Sequence, residues 1–389
     1  MSPLASDVSI TPSVLRWAVQ SSGMDAEEVA RRVKCAPEVL SAWMEGNSQP
    51  TRGQFTRLVK TLRRPSATFF LPHPPRTEDY QDISFRSPTG GKVDADPTKE
   101  LRLQLRRAAR IQKFVSWIAR SEGEAVAELP QHSIKADAVE AGEGFRENWS
   151  NLSVETQLRW ANEWEALRAW RQSLEALRLL VLQFPLRQTG PRGFSLADEY
   201  APLVAINSAY SATARIYSLL HEVGHLLTRT NSACWGFTQS SLWGEVTERW
   251  CEEFAASVLM PSAAFLDWID RQEGGYLSEP EQARAAANRF KVSIRAASLR
   301  AIDLRRADKG LYAKVVSLYQ TSDFPGQSGG GGGLARPRKR IQELGFRTPK
   351  LIESAIDRGL VSTREALDYL DVTIGEYDDL TGFLLEGDG

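Results

Sequence analysis

The apolar and polar positions alternate first at helical, then at strand, then again at helical spacing along the chain. Between Ser13 and Leu71 the apolar residues fall into short helical runs. Val14–Gln20 makes the first, and Gly23 ends it. Asp25 caps the second, with Glu28 three residues on and Val29, Ala30 and Val33 facing inward. A brief turn at Lys34–Ala36 leads to Pro37, a favourable first helical residue, and then to Glu38–Glu45. After the loop at residues 46–50, Arg52–Leu62 is the last long helix of this group.

A Pro- and Gly-bearing connector follows at 73–97, then a strongly amphipathic helix, Lys99–Arg120. Its stripe is Leu101, Leu105, Ala108, Ile111, Val115 and Ile118, opposite arginines that read as a solvated face. Gly123–Asn148 looks loop-rich, and Ser153 caps a helical stretch to about Leu177 whose tryptophans, Trp160, Trp164 and Trp170, read as core. Three short strands are predicted at Leu179–Phe184, Gly193–Leu196 and Pro202–Asn207. Helices then cover Arg215–Thr228, Glu245–Leu259, Ser262–Arg271, Glu279–Arg289 and Ser293–Arg306. A glycine-rich linker at 325–335 separates these from a small helical unit, 336–389, in which Pro349 and Ser362 open helices. The pattern predicts an α+β chain: a helical domain at 10–72 and a mixed domain at 98–310, followed by the C-terminal unit. Within the mixed domain, 98–177 reads as a helical insert, 178–261 as the core and 262–310 as supporting helices.

Chemistry concentrates in His221-Glu222-Val223-Gly224-His225. Two histidines four apart on a helix share a face and can bind one zinc ion (Zn2+). Glu222, beside the first, is then placed as general base toward a water at the metal. A catalytic zinc wants a third protein ligand and an open position. The helix 245–259 offers Glu245, Glu248, Glu252 and Glu253. A carboxylate ligand one turn ahead of a second carboxylate suits a ligand with its supporting hydrogen-bond acceptor, so Glu248 is the expected ligand and Glu252 its support, with Glu245 the alternative ligand. Of the remaining histidines, His73 reads as structural and His132 has no metal-ligand companion at helical spacing.

Composition narrows the setting. The charges nearly cancel, 48 basic against 49 acidic, so no global field points to nucleic acid or membrane. Three widely spaced cysteines argue against a disulfide framework, and neither a signal peptide nor a membrane span is evident. The expectation is a cytoplasmic protein.

Two stretches resemble known families. Gly23–Val33, Leu40–Gly46 and Gln49-Pro50-Thr51 resemble the helix-turn-helix domain of Xre/Cro repressors. Arg31, Arg32 and Lys34 could hold phosphates and Ser41 could reach a base, but the second helix offers only Glu38, Ser41 and Ala42, with no Arg or Lys. Such a module serves DNA binding or protein binding.

The sequences Arg215–Leu227 and Glu248-Arg-Trp-Cys-Glu-Glu-Phe-Ala-Ala-Ser-Val-Leu-Met-Pro261 resemble ImmA/IrrE zinc metallopeptidases. The resemblance implies a zincin-like core, with His221, His225 and Glu248 as ligands and Glu222 as base. It departs at Glu252, where Asn or Asp is usual. It further implies hydrolysis or control of a partner regulatory protein encoded nearby, a repressor or a toxin. Tyr210, Tyr217 and Arg215 are the candidate donors to the oxyanion. The alternative is a DNA-binding regulator or antitoxin that uses the peptidase fold as a scaffold.

Overall fold

The computed structural model describes residues 7–74 apart from 23, 63 and 65, then 99–186, 191–229, 242–319 and 336–386. Most of the 73–97 connector, the glycine-rich linker and residues 230–241 of the loop after the histidine helix lie outside the described residues. The described chain divides into two compact units, one reaching residue 74 and including 99–106, the other running from Arg107 onward.

The first unit contains α1 (Pro12–Gln20), α2 (Ala26–Val33), α3 (Pro37–Glu45) and α4 (Arg52–Leu62), followed by a 3-10 turn at Ser66–Phe70. Local chemistry sets each boundary. Pro12 and Pro37 open α1 and α3, while Asp25 accepts the Glu28 backbone N–H at 2.6 Å and caps α2. A cap of this kind contributes about 1 kcal/mol. Lys34, at φ 62°, turns the chain between α2 and α3. Leu15, Val29, Val33, Leu40, Trp43, Leu58 and Phe69 close a small core.

The second unit is built around a three-stranded sheet, β1 (Leu180–Phe184), β2 (Gly193–Leu196) and β3 (Leu203–Asn207), in the order β1-β3-β2. β1 runs parallel to β3 with Leu180 opposite Leu203, and β2 runs antiparallel with Gly193 opposite Ile206. Every residue of β1 and β3 is buried, which explains their nearly continuous apolar sequences. The helix α9 (Ala212–Thr228) packs on β2 and β3, and α10 (Leu242–Leu259) packs on α9. Among the described residues, no helix is long and apolar enough to cross a membrane.

Several expectations are corrected. The helix expected at 99–120 forms as α5 (Lys99–Ser121), with the predicted stripe buried, but its arginines are not all solvated. Arg107 pairs with Glu343 at 3.2 Å, and Arg110 donates to the Asp368 carbonyl while lying over Tyr369. Residues 123–148 are not all loop: α6 (Ala138–Asn148) is capped by Asp137 and packs against α10. Its Gly142 lowers helix propensity yet is needed, because a Cβ there would lie 2.7 Å from the Phe254 carbonyl oxygen.

The stretch after Ser153 is two helices, α7 (Val154–Arg159) and α8 (Glu163–Ala176). The chain breaks at extended Trp160, and Asn162 caps the second helix. Trp160 and Trp170 are core as expected, whereas Trp164 is 50% exposed.

The three helices expected after the site are α11 (Ser262–Asp270), α12 (Pro280–Phe290) and α13 (Ile294–Asp303), and an unanticipated α14 (Lys309–Leu318) follows. The C-terminal segment holds four helices rather than two: α15 (Arg336–Leu344), α16 (Arg347–Asp357), α17 (Thr363–Leu370) and α18 (Ile374–Glu386). The Ser362–Glu365 capping box is present, but Pro349 lies inside the first turn of α16. The segment belongs to the second unit: α15 lies on β1, and Arg171 donates to the Gln342 carbonyl at 2.7 Å.

Candidate metal centre

Local sequence makes α9 a buried helix. Ser211 caps it by accepting from the Ala214 N–H, no proline interrupts it, and Ile216, Leu219, Leu220, Val223 and Leu227 are buried on several sides. The chain leaves the helix at Arg229, in the left-handed region at φ 38°. α10 packs along it, while the Trp250 and Phe254 rings stack 5.4 Å apart within α10 and the Trp250 indole N–H donates to the Ala136 carbonyl just before α6. Val246, one turn ahead of Trp250 on α10, is exposed.

This pairing brings His221, His225 and Glu248 together. The two Nε2 atoms are 3.3 Å apart, and each lies 3.2–3.3 Å from a Glu248 carboxylate oxygen. Among the described residues these three are the one group of His, Cys, Asp and Glu side chains placed to hold a metal ion. The donor set fits zinc. Donors about 2.0–2.1 Å from a tetrahedral zinc stand about 3.3–3.4 Å from one another. Here two imidazole nitrogens and the two oxygens of one carboxylate meet at almost that separation, an arrangement that favours a cation between them. His221 is 1% exposed, while the Glu248 side chain is 36% exposed, so the group opens on the carboxylate side.

The electrostatics agree. Burial pushes the Glu248 carboxyl upward, but the hydrogen bonds and charge of His221 and His225 hold it well below the usual carboxylate range. Burial disfavours protonated His225, yet the neighbouring Cys251 and Glu248 raise it well above its ordinary value. Burial raises the Cys251 thiol.

Glu222 follows His221 and is 6% exposed. It lies against the start of β2: a Cβ on Gly193 would come 3.1 Å from its Cγ and 3.3 Å from its Oε1. The strand therefore packs directly on the candidate base. Glu252 lies one turn beyond Glu248 and is half-buried, and its backbone carbonyl accepts from the Tyr217 hydroxyl at 3.0 Å. The side chain of Glu245 lies outside the described residues.

The three candidate oxyanion donors have described roles in tying the helix down. Tyr217 links α9 to α10 through that bond, and Tyr210 is buried beneath Arg192. Arg215 donates to the carbonyls of Tyr210 and Ser208 and to Gln183, and burial lowers its pKa to about 10. In the first unit, Arg31 and Lys34 are exposed, Arg32 pairs with Glu28 at 2.7 Å, and Ser41 is half-buried.

Sequence reasoning missed Cys251. It sits against His225 and under Gly224, where an added Cβ would meet its Sγ at 3.1 Å. The signal was available, because Cys251 is three residues beyond Glu248 and shares its helix face. Gly224 and Cys251 together allow α9 and α10 the close approach that puts Glu248 within reach of both histidines.

A search of curated proteins finds no match to the chain. Residues 174–301, which include the sheet, both site helices and most of the three helices after them, match the family described as IrrE N-terminal-like domain, Peptidase_M78. The stretch that carries His221, His225 and Glu248 is thus similar to a metallopeptidase family, the ImmA/IrrE family to which the two motifs point.

Proposed function

We propose that this protein is a zinc-dependent endopeptidase that cuts a partner regulatory protein, a helix-turn-helix repressor, and thereby relieves repression. The observation that carries the reading is the convergence of His221, His225 and Glu248 within 3.2–3.3 Å, immediately beside Glu222. His221, His225 and Glu248 would hold the metal, leaving a position for water. Bound zinc supplies Lewis-acid polarisation of a peptide carbonyl and makes a nearby water more acidic. Glu222 takes the proton from the attacking water and passes it to the amine that leaves. Its seat against Gly193 keeps the carboxylate oriented without a long search among rotamers.

The first unit serves recognition in this reading. α3 exposes Glu38 and Val39 and no basic side chain, a surface suited to a protein partner rather than to phosphates. Incubating the zinc-loaded chain with the helix-turn-helix protein encoded beside it should give discrete fragments by intact mass, and a chelator should prevent them. A partner left whole under both conditions overturns the assignment of substrate.

A further inference from the structure

Apart from the metal centre, α8, the end of β1, the start of α9 and α15 enclose a cavity of about 480 Å³. Its wall carries the cations Arg168, Arg215 and Lys339 and the half-exposed indole of Trp164. Arg215 lies over that indole, 5.3 Å from its centre. A fourth cation at the wall, Arg171, is already engaged by Glu175 and the Val181 carbonyl. The carboxylate in the lining, Glu343, is held by Arg107 at 3.2 Å and by Arg340. It therefore does not neutralise Arg168 or Lys339, which have no ion-pair partner among the described residues. The cavity is left cationic, with an aromatic surface in its wall.

We propose that this cavity binds a nucleotide, a small ligand combining phosphate groups with a planar ring. Arg168 and Lys339 are exposed donors suited to phosphate oxygens. Trp164 offers a flat apolar surface to a base. The volume falls within the range of small-molecule sites, about 300–1,000 Å³, and is too confined for a duplex. The walls also say what binding would do. One is the catalytic helix α9 through Arg215, and another is α15, so an occupied cavity ties the C-terminal segment to the helix bearing His221 and His225. Neither the metal centre nor the hydrolytic step requires it, so this site stands apart from the proposed peptidase activity.

Calorimetry on the full chain with ADP, adenosine and pyrophosphate tests the idea. ADP should bind more tightly than either fragment, and binding should weaken as salt rises. The double variant Arg168→Glu, Lys339→Glu should weaken ADP by at least about tenfold, with zinc content and Tm unchanged. Trp164→Ala should weaken ADP and adenosine while sparing pyrophosphate. The site is overturned if ADP at millimolar concentration gives no heat, or if the double variant binds it as the parent does. Pyrophosphate binding as tightly as ADP would overturn the nucleotide. Should the double variant lose Tm, the milder Lys339→Gln decides, with weaker ADP binding expected and unchanged binding counting against the site.

Discussion

Glu222→Gln lowers peptide hydrolysis by at least about 100-fold while zinc content stays at the parent level. The amide matches the carboxylate in shape, so the packing of residue 222 against Gly193 survives the change. What disappears is the capacity to accept a proton from water and return it to the leaving amine. None of the three donors, His221, His225 and Glu248, is altered. The two readouts therefore separate chemistry from assembly: turnover of the partner protein falls, and metal analysis does not change. Turnover within a few-fold of the parent would remove Glu222 from the reaction.

Glu248→Ala should abolish tight metal binding, with affinity falling by at least about 100-fold. Loss of a supporting residue already costs about 10–100-fold, and this change removes a ligand. A stability effect accompanies it. Zinc at 100 times its dissociation constant stabilises the parent by about 2.7 kcal/mol, which for a unit of this size raises Tm by about 5–10 °C. The variant should show little of that zinc-dependent rise, and in chelator the two proteins should melt much closer together. Equal zinc-dependent shifts in both would mean that the third ligand lies elsewhere. Cys251 is the nearest alternative, since it rests against His225 from the same face of α10.

Much of this architecture was legible because local chemistry and tertiary structure agree. Asp25, Pro37, Ser153 and Ser362 mark helix starts by hydrogen bonds or ring geometry that depend only on neighbouring residues. β1 and β3 stood out because every residue is buried, leaving nearly continuous apolar runs. The histidine pair was readable because four-residue spacing fixes its geometry on any helix. Glu248 needed more, because its approach depends on how closely two helices pack, and that rests on Gly224 and Cys251.

Several misses share one cause: partners distant in sequence. α6 contains two glycines and looks weak alone, yet Gly142 is what lets it lie on the Phe254 carbonyl. The arginines of α5 looked solvated because Glu343, Asp368 and Tyr369 are more than two hundred residues away. Tyr217 looked free to assist catalysis until α10 supplied the Glu252 carbonyl. Trp164 sits among apolar positions of α8, yet half its surface faces the cavity beside α15 rather than the core.

Zinc-edge X-ray absorption on the purified full chain tests the central claim most directly. The account predicts one zinc per chain with nitrogen and oxygen neighbours at about 2.0–2.1 Å, two imidazoles among them, and no sulfur. A sulfur neighbour at about 2.3 Å, or a chain that takes up no zinc, would contradict it.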